Sequence, residues 1–305
     1  MPEASAEAEY RSRIEAEGRV WGEAARALAR QTPPDWQHMQ HLPHHAVVHG
    51  RHIRALLDRV RPGWRVLEVG CASGWLSLEM ARRGAHVEGW DVAGEALTLA
   101  QDYAAQNPPA GSVQYRLLDI NHAPLERGAY DLIVAMGVVH HLAEVEAVLR
   151  RFRQALKPSG LLFVSDALDT PRANAIVAGG LMMLLPTQLS YGEKLRHLFR
   201  LRGRAVANIQ ASIEARGLSP FEGYGRHQEP ERLIHELFQV ESIVRESAFT
   251  GYVIAQLRLP RRGVIAVGRA LMAVDRLLVR LGLLRGLSYV LVARPHAPNT
   301  PGEAQ

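Results

Sequence analysis

From Arg65 onward the chain repeats one pattern. A short run of β-branched and aliphatic residues gives way to a turn, and then to a segment of helical period. "RVLEVG" reads as strand, "GWLSLEMARRG" as helix, "HVEGWD" as strand, "GEALTLAQDYAAQ" as helix and "VQYRLLD" as strand. "YDLIVAM" (strand), "AEVEAVLRRFRQAL" (helix), "KPSG" (turn) and "LLFVSDAL" (strand) follow. Strands joined by helices of this length pair in parallel, because only a crossover returns the chain to the same edge of the sheet. Two late segments, "ESIVRESAFTGYVIAQL" and "LSYVLVA", read as further strands. The expected class is α/β: a doubly wound, mostly parallel, seven-stranded sheet.

The flanks divide the chain. Residues 1–58 form an expected N-terminal helical cap, with apolar positions Ile14, Val20, Trp21, Ala24, Ala25 and Leu28 at helical spacing and a break at "QTPPDWQ". The core spans 59–171, an inserted lid 172–229, and the rest of the sheet, with a helix inserted, 230–295; a flexible tail, 296–305, ends the chain. Within the lid, "ANAIVAGGLMMLL" reads as an apolar helix and the stretch from Gly192 as a basic one. Methionines at 182 and 183 suit a wall that repacks around a hydrophobic acceptor, although plain core packing explains them equally.

The loop after the first strand decides the cofactor class. A dinucleotide fingerprint would require glycine at 70, 72 and 75, and the chain has Gly70, Ala72 and Trp75. Glu68, at the strand's carboxyl end, would also repel a pyrophosphate at the helix N-terminus, and suits a cofactor that presents a cation. The run Glu68-x-Gly70-x-Ala72-x-Gly74 resembles the first motif of class I S-adenosylmethionine-dependent methyltransferases, and the resemblance extends over roughly residues 60 to 170. It implies a fold of the Rossmann-like type that binds S-adenosylmethionine and releases S-adenosylhomocysteine. In that family the acid contacts the methionyl amine and the glycines let the backbone pass close to the cofactor. Ala72 departs by one methyl group, and the loop is expected to tolerate it at negative φ.

Further motifs agree in order. Asp91 closes the second strand seventeen positions after Gly74, where the family places its ribose-binding acid, with Val92 on the adenine face. Asp119 and Ile120 match the residues that hold the adenine, and Ala135 and Met136 those that pass beneath the cofactor.

The acceptor is narrowed by absences. Met136-Gly137-Val138 is not the Asn/Asp-Pro-Pro-aromatic loop used on exocyclic base amines, and the only cysteine, Cys71, sits in the cofactor loop rather than at a nucleophile's position. The acidic ligands of a catechol-type metal site have no counterpart at Val138-Val139-His140-His141. A small-molecule acceptor remains, and a hydroxyl of a sugar or secondary metabolite is the leading reading. A hydroxyl needs a general base, for which His140 and His141 are the candidates. His45, His49 and His52 fall at i, i+4 and i+7, a spacing that could hold a metal. With no Asp, Glu or Cys beside them no metal is assigned, and His45 and His49 join Glu222, Tyr224 and His227 as candidate acceptor contacts.

The alternatives are an N- or C-methyltransferase of a lipid-linked or quinone-like substrate, an RNA or protein methyltransferase, and a non-catalytic cofactor-binding partner subunit. The formal charge of +5 argues little for nucleic acid, since 34 of the 36 basic residues are arginine and point to a general compositional bias. The basic run Lys194, Arg196, His197, Arg200, Arg202 and Arg204, with the apolar helix at 263–284, raises peripheral membrane contact as a minor expectation. A single cysteine and an acidic, polar start lead to the expectation of a cytoplasmic protein.

Overall fold

A computed structural model describes residues 2–200, 219–221 and 223–296, without the side chains of 2–5, 197–200 and Tyr224. A seven-stranded sheet runs in the order β3-β2-β1-β4-β5-β7-β6. Its strands are β1 (Arg65–Val69), β2 (His86–Asp91), β3 (Ser112–Leu117), β4 (Tyr130–Met136), β5 (Leu156–Ala167), β6 (Phe238–Glu246) and β7 (Ser288–Pro295). The first five pair in parallel, and β7 lies antiparallel between β5 and β6. The helices include α1 (Pro2–Ala29), α2 (Trp36–Met39), α3 (Gly50–Leu57), α4 (Trp75–Arg82), α5 (Gly94–Gln106) and α6 (Val145–Ala155). Next come α7 (Arg172–Leu184), α8 (Tyr191–Arg200), α9 (Pro230–Leu237), α10 (Thr250–Gln256) and α11 (Arg261–Arg280).

Strand alternation divides the core between two faces of the sheet. Leu67, Val69, Ile133 and Ala135 pack towards α6 and α9. Val66, Leu132 and Val134 pack towards α3 and α4. The order of neighbours reverses between β1 and β4, so the crevice for a ligand lies outside the carboxyl ends of those strands.

Two expectations change. "KPSG" makes no turn of its own: β5 starts at Leu156, and the pairing with β4 shifts between Tyr130 and Leu132, so the extra residues form a bulge inside the strand. "ESIVRESAFTGYVIAQL" is strand only as far as Glu246. The buried carboxylate of Asp275 on α11 accepts from the Ala248, Phe249 and Thr250 amides and the Thr250 hydroxyl (2.7–3.0 Å), capping α10 and turning the rest of that segment into helix. Helix α7 packs with α10 and α11 on Val47 and Val48, while Ile176 and Leu184 face outward. Among the described residues no helix is long and apolar enough to cross a membrane.

Helix α1 bears directly on the crevice. Gly18 lies so close to the chain after β2 that a Cβ there would stand 2.4 Å from the Val92 carbonyl oxygen, and Ala25 packs with Ala93 and Ala96 at the start of α5. With Arg26 paired to Glu95 at 3.0 Å, these contacts lay the helix over the carboxyl ends of β1 and β2.

Candidate active site

The cleft at the switch point is walled by the loops after β1 to β4 and by one face of α1. Gly70 and Ala72 come from the first loop; Asp91 and Val92 end the second strand. Asp119, Ile120 and Asn121 follow β3, and Met136, Val138 and His141 follow β4. Ile14, Glu17 and Trp21 close it from α1, with Phe221 beside them.

The first loop keeps its tight course by left-handed residues. Gly70, Ala72 and Gly74 have φ of 70°, 45° and 71°. A Cβ on Gly70 would stand 2.9 Å from the Val138 side chain, and one on Gly74 2.5 Å from the Tyr115 hydroxyl oxygen and 2.6 Å from its ring, so both positions demand glycine. Ala72 therefore adopts the positive φ that its side chain disfavours, contrary to the expected negative value; the loop path is kept at a conformational cost. Asp91 offsets part of it, accepting from the Ala72 amide with one carboxylate oxygen and the Ala93 amide with the other, both at 2.8 Å. Burial raises the pKa of Asp91 against the pull of these amides. Each oxygen keeps a lone pair for a further donor.

Glu68 is not on the wall. Alternation along β1 places it on the Val66 face, beneath α4, where its carboxyl accepts from the Ser77 hydroxyl. Burial pushes its pKa up to about 8, so at neutral pH it is mostly protonated and supplies little charge. The negative wall is built instead by Asp91, Asp119 and Glu17, and no lysine or arginine lines the cleft among the described residues. A wall of carboxylates without cations opposes a pyrophosphate and suits a cationic donor. Gly74 and Ala135 are likewise behind the wall, Gly74 in the turn under Tyr115 and Ala135 in the core facing α6.

Asp119 carries more than the sequence suggested. Its Oδ2 accepts from the Tyr10 hydroxyl of α1 at 2.5 Å, and its Oδ1 from the amide and side chain of Asn121, both at 2.9 Å. One acceptor position on the carboxylate is left for an adenine amine. The Trp90 indole forms part of the wall, and its buried Nε1 finds no partner among the described residues.

The adjacent histidines part ways. His140 is turned away from the cleft; its Nδ1 and amide bind the buried Asp166 carboxylate of β5. His141 lines the cleft, with Nδ1 3.1 Å from Glu17 Oε1 and 3.2 Å from Ser219 Oγ. Glu17 is itself buried and accepts from Trp21 Nε1 at 2.6 Å and Ser219 Oγ at 2.6 Å. Burial works to raise its pKa, but the hydrogen bonds from His141 and Ser219 outweigh it, and the net shift is downward.

The cap histidines do not share one face. Residues His45–His49 form a π-helical turn, which breaks the 3.6-residue period on which that reading relied. His45 packs on Trp36 and Trp75, and burial pushes its pKa down to about 4. His49 Nε2 lies 2.9 Å from His44 Nε2, and His52 binds Glu246 at 2.6 Å. His45 and His49 are thus absent from the cleft wall, as is His227, which is exposed. Glu222 and the Tyr224 side chain lie outside the described residues, as do Arg202, Arg204 and the side chains of His197 and Arg200; the Lys194 ammonium donates to the Leu185 carbonyl.

Sequence reasoning missed Tyr10 and Glu17. A signal was present, since Tyr10, Ile14, Glu17 and Trp21 stand at i, i+4, i+7 and i+11, and an acid on the apolar side of an amphipathic helix demands a partner.

A family model described as a methyltransferase domain matches residues 67–164. The ubiquinone biosynthesis O-methyltransferase of Xanthomonas campestris pv. campestris is 36% identical over 120 residues, covering 39% of this chain and 49% of that protein. The Aeromonas salmonicida protein of the same name is 34% identical over 128 residues, 41% of this chain and 53% of its own. The chain thus spans about half the length of the curated relatives it matches. Residues 67–164 thus match a methyltransferase domain, and the relatives that match this part of the chain are named as O-methyltransferases. Geranyl diphosphate C-methyltransferase from Streptomyces coelicolor A3(2), solved with S-adenosylhomocysteine, shares the domain's fold. It has a TM-score of 0.51 at 14% identity, covering 81% of this chain and 79% of that one. A geranyl diphosphate methyltransferase solved with S-adenosylmethionine gives 0.52 at 14% identity, over 80% and 84% of the two chains. Among the described residues the carboxylate wall has no arginine or lysine, which fits the sulfonium and ammonium of the S-adenosylmethionine with which that neighbour was solved.

Proposed function

We propose that this chain transfers a methyl group from S-adenosylmethionine to a hydroxyl of a small-molecule acceptor. The observation that carries the reading is the meeting, in one cleft, of a histidine and a carboxylate wall that has no lysine or arginine among the described residues. Asp91 would accept from the ribose hydroxyls, Asp119 from the adenine amine, and Val92, Ile120 and Met136 would pack on the cofactor, with the Gly70–Ala72 backbone beside its methionine part. Bound S-adenosylmethionine supplies the methyl as an activated electrophile. The chain's own part is then to align the acceptor, keep water out and remove a proton. We assign that removal to His141, which lines the cleft, while His140 holds the post-β4 turn to β5 through Asp166.

Apolar side chains from Ile14, Trp21, Leu142 and Phe221 line the same cleft and favour a largely apolar acceptor. The relatives named for ubiquinone biosynthesis favour a second reading, in which the acceptor is a quinone-like phenol rather than a sugar or other secondary metabolite. The test supplies labelled S-adenosylmethionine to the full chain with a hydroxylated sugar, a plant-type phenol, a prenylated catechol and RNA. Label in an O-methyl ether of one of the small molecules is the expected result, and its identity separates the two readings. Label confined to RNA or protein, or cofactor binding without transfer into any fraction of a cell extract, would overturn the proposal.

A further inference from the structure

The pair of acids and histidines beside the cleft uses one chemistry for two purposes. His140 and Asp166 form a buried pair behind the wall, which suffices to fix a turn. Glu17 and His141 form another on the wall itself, assembled from parts remote in sequence: α1, the turn after β4, and Ser219, which lies 202 residues beyond Glu17. Burying a carboxylate against an imidazole is a poor way to gain stability, because desolvation consumes most of the Coulomb attraction. The Glu17 carboxylate is also held on both oxygens, Oε1 by Trp21 and His141 and Oε2 by Ser219, so its direction relative to the ring is fixed. An imidazole whose Nδ1–H is given to a carboxylate carries its lone pair on Nε2, and a proton taken there is stabilised by the negative charge behind the ring.

We propose that Glu17 is a positioning residue for His141. It holds the Nδ1–H tautomer so that Nε2 acts as base, and it stabilises the imidazolium that forms. The inference rests on His141 being the base proposed above. In the step, the acceptor's O–H proton passes to His141 Nε2 while its oxygen forms the bond to the methyl carbon. The electron pair of the broken carbon–sulfur bond stays on sulfur, leaving neutral S-adenosylhomocysteine and the methyl ether. His141 later releases the proton to water, so acceptor and sulfonium donor give ether, thioether and one H⁺. Helix α1 then does more than cover the cleft, because it brings the carboxylate that completes the base.

The first readout needs no acceptor. Ring-¹⁵N spectra of histidine-labelled wild-type chain, at a pH where the ring is neutral, should show His141 as the Nδ1–H tautomer. Glu17→Gln should shift it towards Nε2–H, the form preferred by imidazole in water. With the acceptor found in the labelled-methyl assay, Glu17→Gln should lower kcat by about tenfold to a hundredfold, part of the gain a general base provides, with KM little changed. Glu17→Asp should recover part of that loss, and S-adenosylhomocysteine affinity by calorimetry should fall by less than kcat does, by the part due to a carboxylate lost from the cleft wall. An Nε2–H tautomer in the wild-type chain, or an unchanged kcat in folded Glu17→Gln, would overturn the assignment. A loss of S-adenosylhomocysteine binding in Glu17→Gln that matches the loss of turnover would also do so, reducing Glu17 to a clamp for α1. Failure of the wild-type chain to bind S-adenosylhomocysteine at all would instead strike the proposed function, and the tautomer would still be readable.

Discussion

Replacing Glu68 by glutamine should make the protein more stable at neutral pH, although Glu68 belongs to the motif that first suggested the cofactor. Its carboxyl is fully enclosed under α4 with the Ser77 hydroxyl as partner, and burial raises its pKa from 4.5 to about 8. Between those two values the folded chain keeps a proton that the unfolded chain has released. Stability therefore falls as pH rises through that window, by about 1.4 kcal/mol for each pH unit. At pH 7 the accumulated loss approaches about 3 kcal/mol, a ceiling that relaxation around the site reduces, so a gain of about 1–3 kcal/mol is expected for Glu68→Gln. Urea unfolding of both proteins at pH 5, 7 and 8 reads it directly, with the advantage of the variant growing from pH 5 to pH 8. An equal effect at pH 5 and pH 8, or a variant less stable at pH 8, would refute the burial argument. Cofactor affinity should change only a few-fold, since the side chain is not on the cleft wall.

Other outcomes follow from the same geometry. Ala72→Gly removes a Cβ from a residue at φ 45° and should stabilise by about 0.5–1 kcal/mol, the left-handed penalty less the extra entropy of glycine. A clear loss in urea unfolding would contradict it. Asp275→Ala strips the cap from α10 and leaves three buried amides and a hydroxyl without their acceptor, at a cost of at least about 3 kcal/mol. Asp275→Asn, which keeps part of the cap, should lie between it and wild type, and a loss below 1 kcal/mol by denaturation in Asp275→Ala would count against the assignment.

The parallel half of the fold was legible because strand, turn and helix signals are local. β1, β2, β4, α4 and α5 stand where hydrophobic period and glycine put them. The segment after Glu246 was not, since "SAFTGYVIAQ" has the branched residues of a strand and becomes helix only through Asp275, distant in sequence. The same distinction runs through the site. Gly70, Ala72, Asp91, Val92, Asp119, Ile120, Met136 and His141 reach the wall because strand ends in this topology always do. Glu68 emerges on the α4 side of β1, because a motif gives spacing but not the face on which a side chain emerges. Tyr10 and Glu17 escaped because their partners, Asp119 and His141, lie more than a hundred residues away, and a helix's own period does not say what it covers. The positive φ of Ala72 is a further case, fixed by the ties of its amide to Asp91 rather than by its own preference.

The central claim is that Asp91 and Asp119 hold the nucleoside of a sulfur donor in this cleft, whose described wall has no arginine or lysine to receive a pyrophosphate. Calorimetric titration of the full chain and of Asp91→Ala with S-adenosylmethionine, S-adenosylhomocysteine and NAD tests it most directly. The account predicts saturable one-to-one binding of both sulfur ligands by the wild type, at least tenfold weaker binding by Asp91→Ala, as loss of charge-assisted hydrogen bonds implies, and no binding of NAD. Binding of NAD in preference to S-adenosylmethionine, or affinity for S-adenosylmethionine untouched by loss of the Asp91 carboxylate, would contradict it.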